Sequence, residues 1–176
     1  MKATGVVRRI DDLGRIVIPK ELRRTMRIKE GDSLEIFIEG SDKVVLRKYS
    51  PVQNINEFIT EFVQSIYETT KKEIIITDNE RIIAAVIKGK KDIVGQKVSM
   101  RLEEKLSNRQ TQLIEKGQML EITENYQLKN PAIIKPINVY GDILGLVIIV
   151  GDDEITDTEK NMAEFTGSFF CKYLEG

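Results

Sequence analysis

The spacing of apolar residues changes once along the chain, close to Pro51. Before it the rhythm is short and strand-like. Val6 to Ile10 reads as a strand, Asp11-Asp12-Leu13-Gly14 as a loop, and Arg15 to Ile18 as a second strand. Pro19 stops that strand and suits the first position of a helix running to about Met26. After a Gly31-Asp32 turn, Leu34, Ile36 and Ile38 alternate with Glu35, Phe37 and Glu39, the period of a half-buried strand. Gly40-Ser41-Asp42 then turns the chain into a last strand from Lys43 to Lys48.

Beyond Pro51 the first pattern is helical. Ile55, Phe58, Ile59, Phe62, Val63, Ile66 and Tyr67 form one apolar stripe, so a helix is expected over about 54–71, with Asn54 and Glu57 capping its start. Strands are expected at Glu73 to Thr77 and Arg81 to Ile87, around an Asp78-Asn79 turn. A helix follows from Val98 to about Arg109, then a short strand from Met119 to Thr123. Ala132 to Val139 and Ile143 to Val150 flank Tyr140-Gly141-Asp142 as a hairpin, in which Pro136 suits an edge or a bulge. Thr156 and Glu159 form a capping box that opens a last helix to Leu174. The order of elements predicts an α+β sandwich behind a small β-rich head, with domains at 1–52 and 53–176.

Charge divides the chain at the same place. Residues 1–29 hold 9 Lys and Arg against 3 Asp and Glu, whereas residues 51–176 hold 15 against 20. A basic head on an acidic body points to an anionic partner at the head. On a helical wheel Lys20, Arg23, Arg24 and Arg27 share one face, with Leu22 and Met26 roughly opposite. A phosphate backbone attracts such a stripe, and arginine also reaches base edges. A solvated helix face looks the same, and the pattern alone leaves both readings standing. Arg8 and Arg9 are neighbours on a strand, so only one of them can meet the same DNA surface if the strand is flat.

Composition removes most enzyme chemistry. The 176 residues include no histidine and one cysteine, Cys171. That excludes a histidine base, a histidine-ligated metal, a Ser-His-Asp arrangement and an internal disulfide. No catalytic residue, metal site or cofactor is expected. Gly89-Lys90-Lys91 lacks the spacing of a phosphate loop, and Asp152-Asp153-Glu154 that of a calcium loop. Cys171, among Phe169, Phe170, Tyr173 and Leu174, is expected at a buried helix contact. No apolar run approaches the roughly 18 residues of a membrane span, and the first residues carry no signal-peptide pattern, so a cytoplasmic protein is expected.

The run Gly5-Val6-Val7-Arg8-Arg9-Ile10-Asp11-Asp12-Leu13-Gly14-Arg15-Ile16-Val17-Ile18-Pro19-Lys20-Glu21-Leu22-Arg23-Arg24 closely resembles the AbrB-type DNA-binding domain of transition-state regulators. With Gly31 to Ile36 and Val44 to Tyr49 the likeness spans residues 1–50, and Met26 stands where leucine is usual. The resemblance implies a dimeric swapped-hairpin barrel on double-stranded DNA, with contacts from Arg8, Arg15, Arg23 and Arg24, and with Arg9 where a basic residue is common. It agrees with the size of the head, since about 50 residues sit near the lower limit for an independent core. In the body, Pro136-Ile137, Gly141 and Gly145-Leu146 resemble the hairpin of GAF domains.

The whole architecture resembles sporulation regulators that act in the developing forespore. That likeness implies a nucleoid-associated homotetramer, two head dimers joined through GAF-like bodies. The interface residues would be Phe58, Phe62, Ile66, Phe169, Phe170 and Tyr173, although the same two helices can instead pack side by side on their own sheet. Any small-molecule ligand is expected on the sheet face away from these helices. That site would be bordered by the strands around Ile74 and Ile148 and covered by a polar, irregular flap from Gly89 to Gln127. Two rival readings are a DNA-binding antitoxin, which shares this head, and a body with carboxylate-based catalysis.

Overall fold

The computed structural model describes residues 6–89 and 92–175; Gly5, Lys90 and Lys91 lie outside them. The chain forms two compact units, the first ending at Tyr49 and the second starting at Ser50.

In the first unit, α1 spans Lys20–Thr25, and β1 (Leu34–Glu39) pairs antiparallel with β2 (Lys43–Lys48), from Leu34 opposite Lys48 to Glu39 opposite Lys43. Ile36 and Ile38 lie across from Leu46 and Val44, so all four side chains share one face of the hairpin. That face is not covered: Ile38 is 80% exposed and Val44 69%. The two strands expected over residues 6–18 have no ladder partner among the described residues, and Val7 and Val17 stand exposed. A strand exists only where a second strand accepts its hydrogen bonds, and the described residues supply none here. Pro19 is the sole buried residue among those described in the unit.

The second unit has a full core. A short α2 (Pro51–Asn54) leads into α3 (Asn56–Thr70), then β3 (Ile74–Asp78), β4 (Ile82–Val86), α4 (Met100–Leu106), β5 (Gln112–Ile114), β6 (Leu120–Thr123), β7 (Tyr126–Leu128), β8 (Ala132–Val139), β9 (Asp142–Val150) and α5 (Asp157–Glu175). Five strands form an antiparallel sheet in the order β4-β3-β9-β8-β5, while β6 and β7 make a separate hairpin. Helices α3 and α5 cover one face, where Ile74, Ile76, Ile133, Val147 and Ile149 meet Ile59, Val63, Ala163 and Phe170. Alternate residues of the same strands, Ile75, Ile134, Leu146 and Ile148, face the other way and pack under Val98, Leu102, Leu106, Leu120 and Ile122. A sheet filled on both sides explains why β9 reads as an unbroken apolar run.

Local chemistry sets the boundaries. Ser50 accepts a hydrogen bond from Gln53 N at 3.2 Å, and Pro51 takes the first helical position, so α2 begins three residues before the expected helix. Ile55, not Asn54, precedes α3, and its side chain makes no capping bond. Ser99 caps α4 by accepting from Leu102 N at 3.0 Å and donates to Glu121 O at 2.6 Å. Tyr140 and Gly141 both have positive φ, 50° and 94°, the backbone of a tight two-residue hairpin turn. The bulge in β8 falls at Ile137 and Asn138, while Pro136 lies beyond the reach of the three-residue β5. At Gly145 strand β9 passes so close to β3 that a Cβ would lie 2.0 Å from Thr77 O. The expected capping box is present: Glu159 Oε2 accepts from Thr156 N at 2.9 Å and from the Thr156 hydroxyl.

Candidate nucleic-acid interface

Asp11 organises the segment ahead of the basic helix. Its Oδ1 accepts from the backbone N of Leu13 at 3.0 Å and of Arg15 at 2.7 Å, and its Oδ2 meets Arg15 Nε at 2.8 Å. The backbone bond from Arg15, then the Arg15 side chain, hold this carboxyl below its ordinary pKa. Arg15 therefore presents its remaining guanidinium nitrogens from a fixed turn. Asp11 was not among the expected site residues, although an aspartate two residues ahead of the turn's Leu13 is the signature of such a loop.

Pro19 precedes α1, rather than opening it, and is buried. Lys20, Arg23 and Arg24 project from α1 into solvent, and the two arginines sit in its last turn, where positive charge is favoured. Arg27 departs from the expected wheel. The helix stops at Thr25, Arg27 adopts φ 54°, and Ile28 N reaches back to Arg23 O at 2.8 Å while Arg27 N bonds Arg24 O at 3.2 Å. This is a left-handed C-terminal cap, so the helical angle assigned to Arg27 does not apply. Its carbonyl accepts from Lys48 Nζ at 3.3 Å, and Lys48 also pairs with Asp32 at 3.1 Å, tying the cap to the end of β2.

Arg8 and Arg9 lie exposed in the extended segment before Asp11. Their expected opposition across a strand has no ladder here to define it. A further cation, Arg47, stacks its guanidinium 4.8 Å from the Phe37 ring on the hairpin face opposite Ile36 and Ile38. No sequence signal marked it, because the pair forms only across the β1–β2 register.

The body helices meet each other through aromatic rings. Phe58 stacks on Tyr173 with centroids 4.9 Å apart, Phe62 on Phe169 at 5.1 Å, and Phe170 stands edge-on to Phe62 at 5.1 Å. The helices thus pack side by side on their own sheet. Phe170 is fully buried within the chain, which leaves it no surface to offer a second copy. Phe58, Phe62, Ile66 and Phe169 are half-buried, and Tyr173 keeps an exposed edge. Phe165, which was not among the expected residues, is 64% exposed beside Phe169. Cys171 is half-buried on the same helix.

The expected ligand site needs correction. The strands around Ile74 and Ile148 are neighbours in the sheet, and on the face away from α3 and α5 they present Ile75, Leu146 and Ile148, while Ile74 itself faces the helices. The segment from Gly89 to Gln127 is not an irregular flap. It carries α4, β5, β6 and the start of β7, and sends Ile93, Val98, Leu102, Ile114 and Ile122 into the core. Among the described residues, no group of acidic and cysteine side chains is arranged to hold a metal ion, and no helix is long and apolar enough to cross a membrane.

Comparison with known proteins follows the same division. Residues 54–175 match the family described as stage V sporulation protein T C-terminal, transcription factor, and residues 7–54 match antidote-toxin recognition MazE, bacterial antitoxin. Over 177 residues the chain is 37% identical to stage V sporulation protein T of Bacillus subtilis (strain 168), covering 99% of each. Over 51 residues it is 57% identical to the transition state regulatory protein AbrB of the same organism, covering 29% of this chain and 52% of that protein. The body shares its fold with residues 122 to 287 of a methyl-accepting chemotaxis protein, with a TM-score of 0.54 at 14% identity over 68% of this chain and 86% of that one.

Proposed function

The chain belongs to the stage V sporulation protein T family of transcription factors, and from that premise we propose that it regulates transcription by binding double-stranded DNA through α1 and the Asp11 turn of a dimeric head. One observation carries this reading. Three cations project from α1, and the neighbouring hairpin leaves Ile36, Ile38 and Val44 uncovered, a surface that a second head would bury. Pairing two heads places two α1 helices on one partner and completes the strands that residues 6–18 lack. Lys20, Arg23 and Arg24 then neutralise phosphates, which supply most of the affinity, while Arg8, Arg9 and Arg15 lie within the same basic segment for base edges or groove shape. Arg27 contributes charge from the cap rather than from the helix face.

The body brings two such dimers together as a tetramer. The support is the aromatic surface that α3 and α5 leave exposed at Phe165 and Tyr173, flanked by Phe58 and Phe169. As a sporulation regulator it would act in the cytoplasm, on the nucleoid of the forespore. No catalytic step is assigned to it. The likeness of residues 7–54 to an antitoxin supports a second reading, in which the body would be a toxin-binding tail. A tail of that kind has no use for the two-faced core described above, and the regulator is the better fit.

The test is DNA affinity against salt. A dimer that neutralises about six to eight phosphates gives a slope of log K on log salt of roughly -5 to -7. Arg23→Ala and Arg24→Ala, each removing one cation from both chains of the dimer, should each flatten that slope by about two while the oligomer keeps its size. A slope near zero, or a change of mass in either variant, would remove α1 from the interface.

A further inference from the structure

The far end of β3 from Asp78 holds a cavity of about 170 Å3. Four separate stretches of chain supply its walls: the exit of α3, the end of β4, the turn before β8 and the turn after β9. Three lysines converge there, Lys71, Lys72 and Lys88, in a body whose overall charge is negative. Glu73 Oε1 accepts from the backbone N of Lys88 at 3.2 Å, which holds that residue at the rim. Asn130 Nδ2 donates to Gly151 O at 3.3 Å and Asp152 O at 3.2 Å and so shapes the opposite wall.

Lys72 is shared between two carboxylates of unlike standing. Glu159, 2.8 Å away, is 1% exposed and depends on this cation for its charge. Asp152, 2.6 Å away, is 79% exposed and is solvated by water when it leaves. The Asp152 carboxylate therefore occupies the cavity side of Lys72 as a tethered oxyanion, held by an exchangeable contact. Lys71 Nζ lies 5.9 Å from the Tyr67 ring, within reach of the same space.

We propose that this cavity binds a small oxyanion, a phosphate or carboxylate group, which takes the place of Asp152 against Lys72 and is held from the rim by Lys88. The site is remote in sequence from the basic head and is built wholly from the second unit. Because Lys72 also holds Glu159, the residue that caps α5, occupancy bears on the start of α5 and on the exit of α3 together.

Equilibrium dialysis of the full chain tests the site, with labelled orthophosphate in one arm and citrate in the other, at constant ionic strength in chloride. Saturable uptake of at least one anion, approaching one per chain, is expected, and the arm that saturates tells a phosphate source from a carboxylate source. Lys88→Ala should weaken uptake about tenfold, the value of one charge-assisted hydrogen bond. Asp152→Asn should strengthen it several-fold by removing the internal competitor, and Arg23→Ala should leave it unchanged. Both cavity substitutions are at exposed side chains, and circular dichroism checks that the fold is kept. The proposal is overturned if neither anion saturates, if either cavity substitution leaves uptake as it was, or if Arg23→Ala abolishes it.

Discussion

Lys72→Met should cost the body more than any exposed ion pair would. Glu159 is 1% exposed and receives Lys72 Nζ at 2.8 Å. Burial alone would raise its pKa, but the bonds from Lys72 and Thr156 overcome that and bring it from an ordinary 4.5 to about 2. A difference of that size corresponds to about 3 kcal/mol between the charged and neutral forms. Methionine keeps the length of the side chain and removes the ammonium, so Glu159 is left as a buried charge held by Thr156 and its own backbone N–H. We expect a loss of about 2–3 kcal/mol at pH 7, which for a domain of this size moves the urea midpoint by about 1–2 M.

The pH dependence fixes the cause. A carboxyl whose folded pKa is depressed stabilises the fold above its unfolded value and loses that contribution as pH falls through the folded one. For the parent the window runs from about 4.5 down to about 2. In the Met variant the folded pKa rises instead, so protonation relieves the penalty earlier. The gap between the two proteins should therefore begin to narrow near pH 5 and close near pH 2. Asp152→Asn, which leaves Glu159 its cation, should cost less than about 0.5 kcal/mol. Urea titrations followed through the body's signal measure all three proteins. A Met variant within about 0.5 kcal/mol of the parent at pH 7, or a gap that stays constant down to pH 2.5, would refute the reasoning.

Two further expectations concern packing. Gly145→Ala should destabilise the body by about 3 kcal/mol or more, because the added Cβ meets the backbone oxygen of Thr77 at 2.0 Å and neither strand can retreat; thermal unfolding measures it, and an unchanged midpoint would show that the strands are not so close. Phe165→Ser should lower the mass of the proposed tetramer to that of a dimer with the body still folded, whereas Phe170→Ser should unfold the body; light scattering with circular dichroism separates the two, and a tetramer that survives Phe165→Ser would place the contact elsewhere.

Much of the body was legible because its strongest signals are local. The span of β8 from Ala132 to Val139 and the capping box at Thr156 were read correctly from neighbours within a few residues. Strands β5 and β7 escaped notice because three residues carry no period. The strands around Ile74 and Ile148 do lie side by side, but which of their residues share a face was not legible: the register sets Ile74 opposite Ile149, so Ile148 belongs to the other face. Arg27 failed differently. A helical wheel assumes that the helix continues, and the left-handed cap that ends it is stabilised by Ile28 and Lys48, which the wheel does not contain. In the head, the alternation of Leu34, Ile36 and Ile38 marked a real strand, but it could not show that the described residues leave Ile36 and Ile38 uncovered.

That uncovered face makes the two halves obey different laws of mass action. The body closes its core within one molecule, so dilution leaves its folded fraction unchanged. In the dimer proposed above, the head buries Ile36, Ile38 and Val44 against another head. At low copy number the concentration of completed heads therefore rises with the square of the chain concentration. On that proposal a cell that doubles its stock of this protein from a scarce level would gain about four times the paired heads, a threshold set by an uncovered hairpin rather than by any signal.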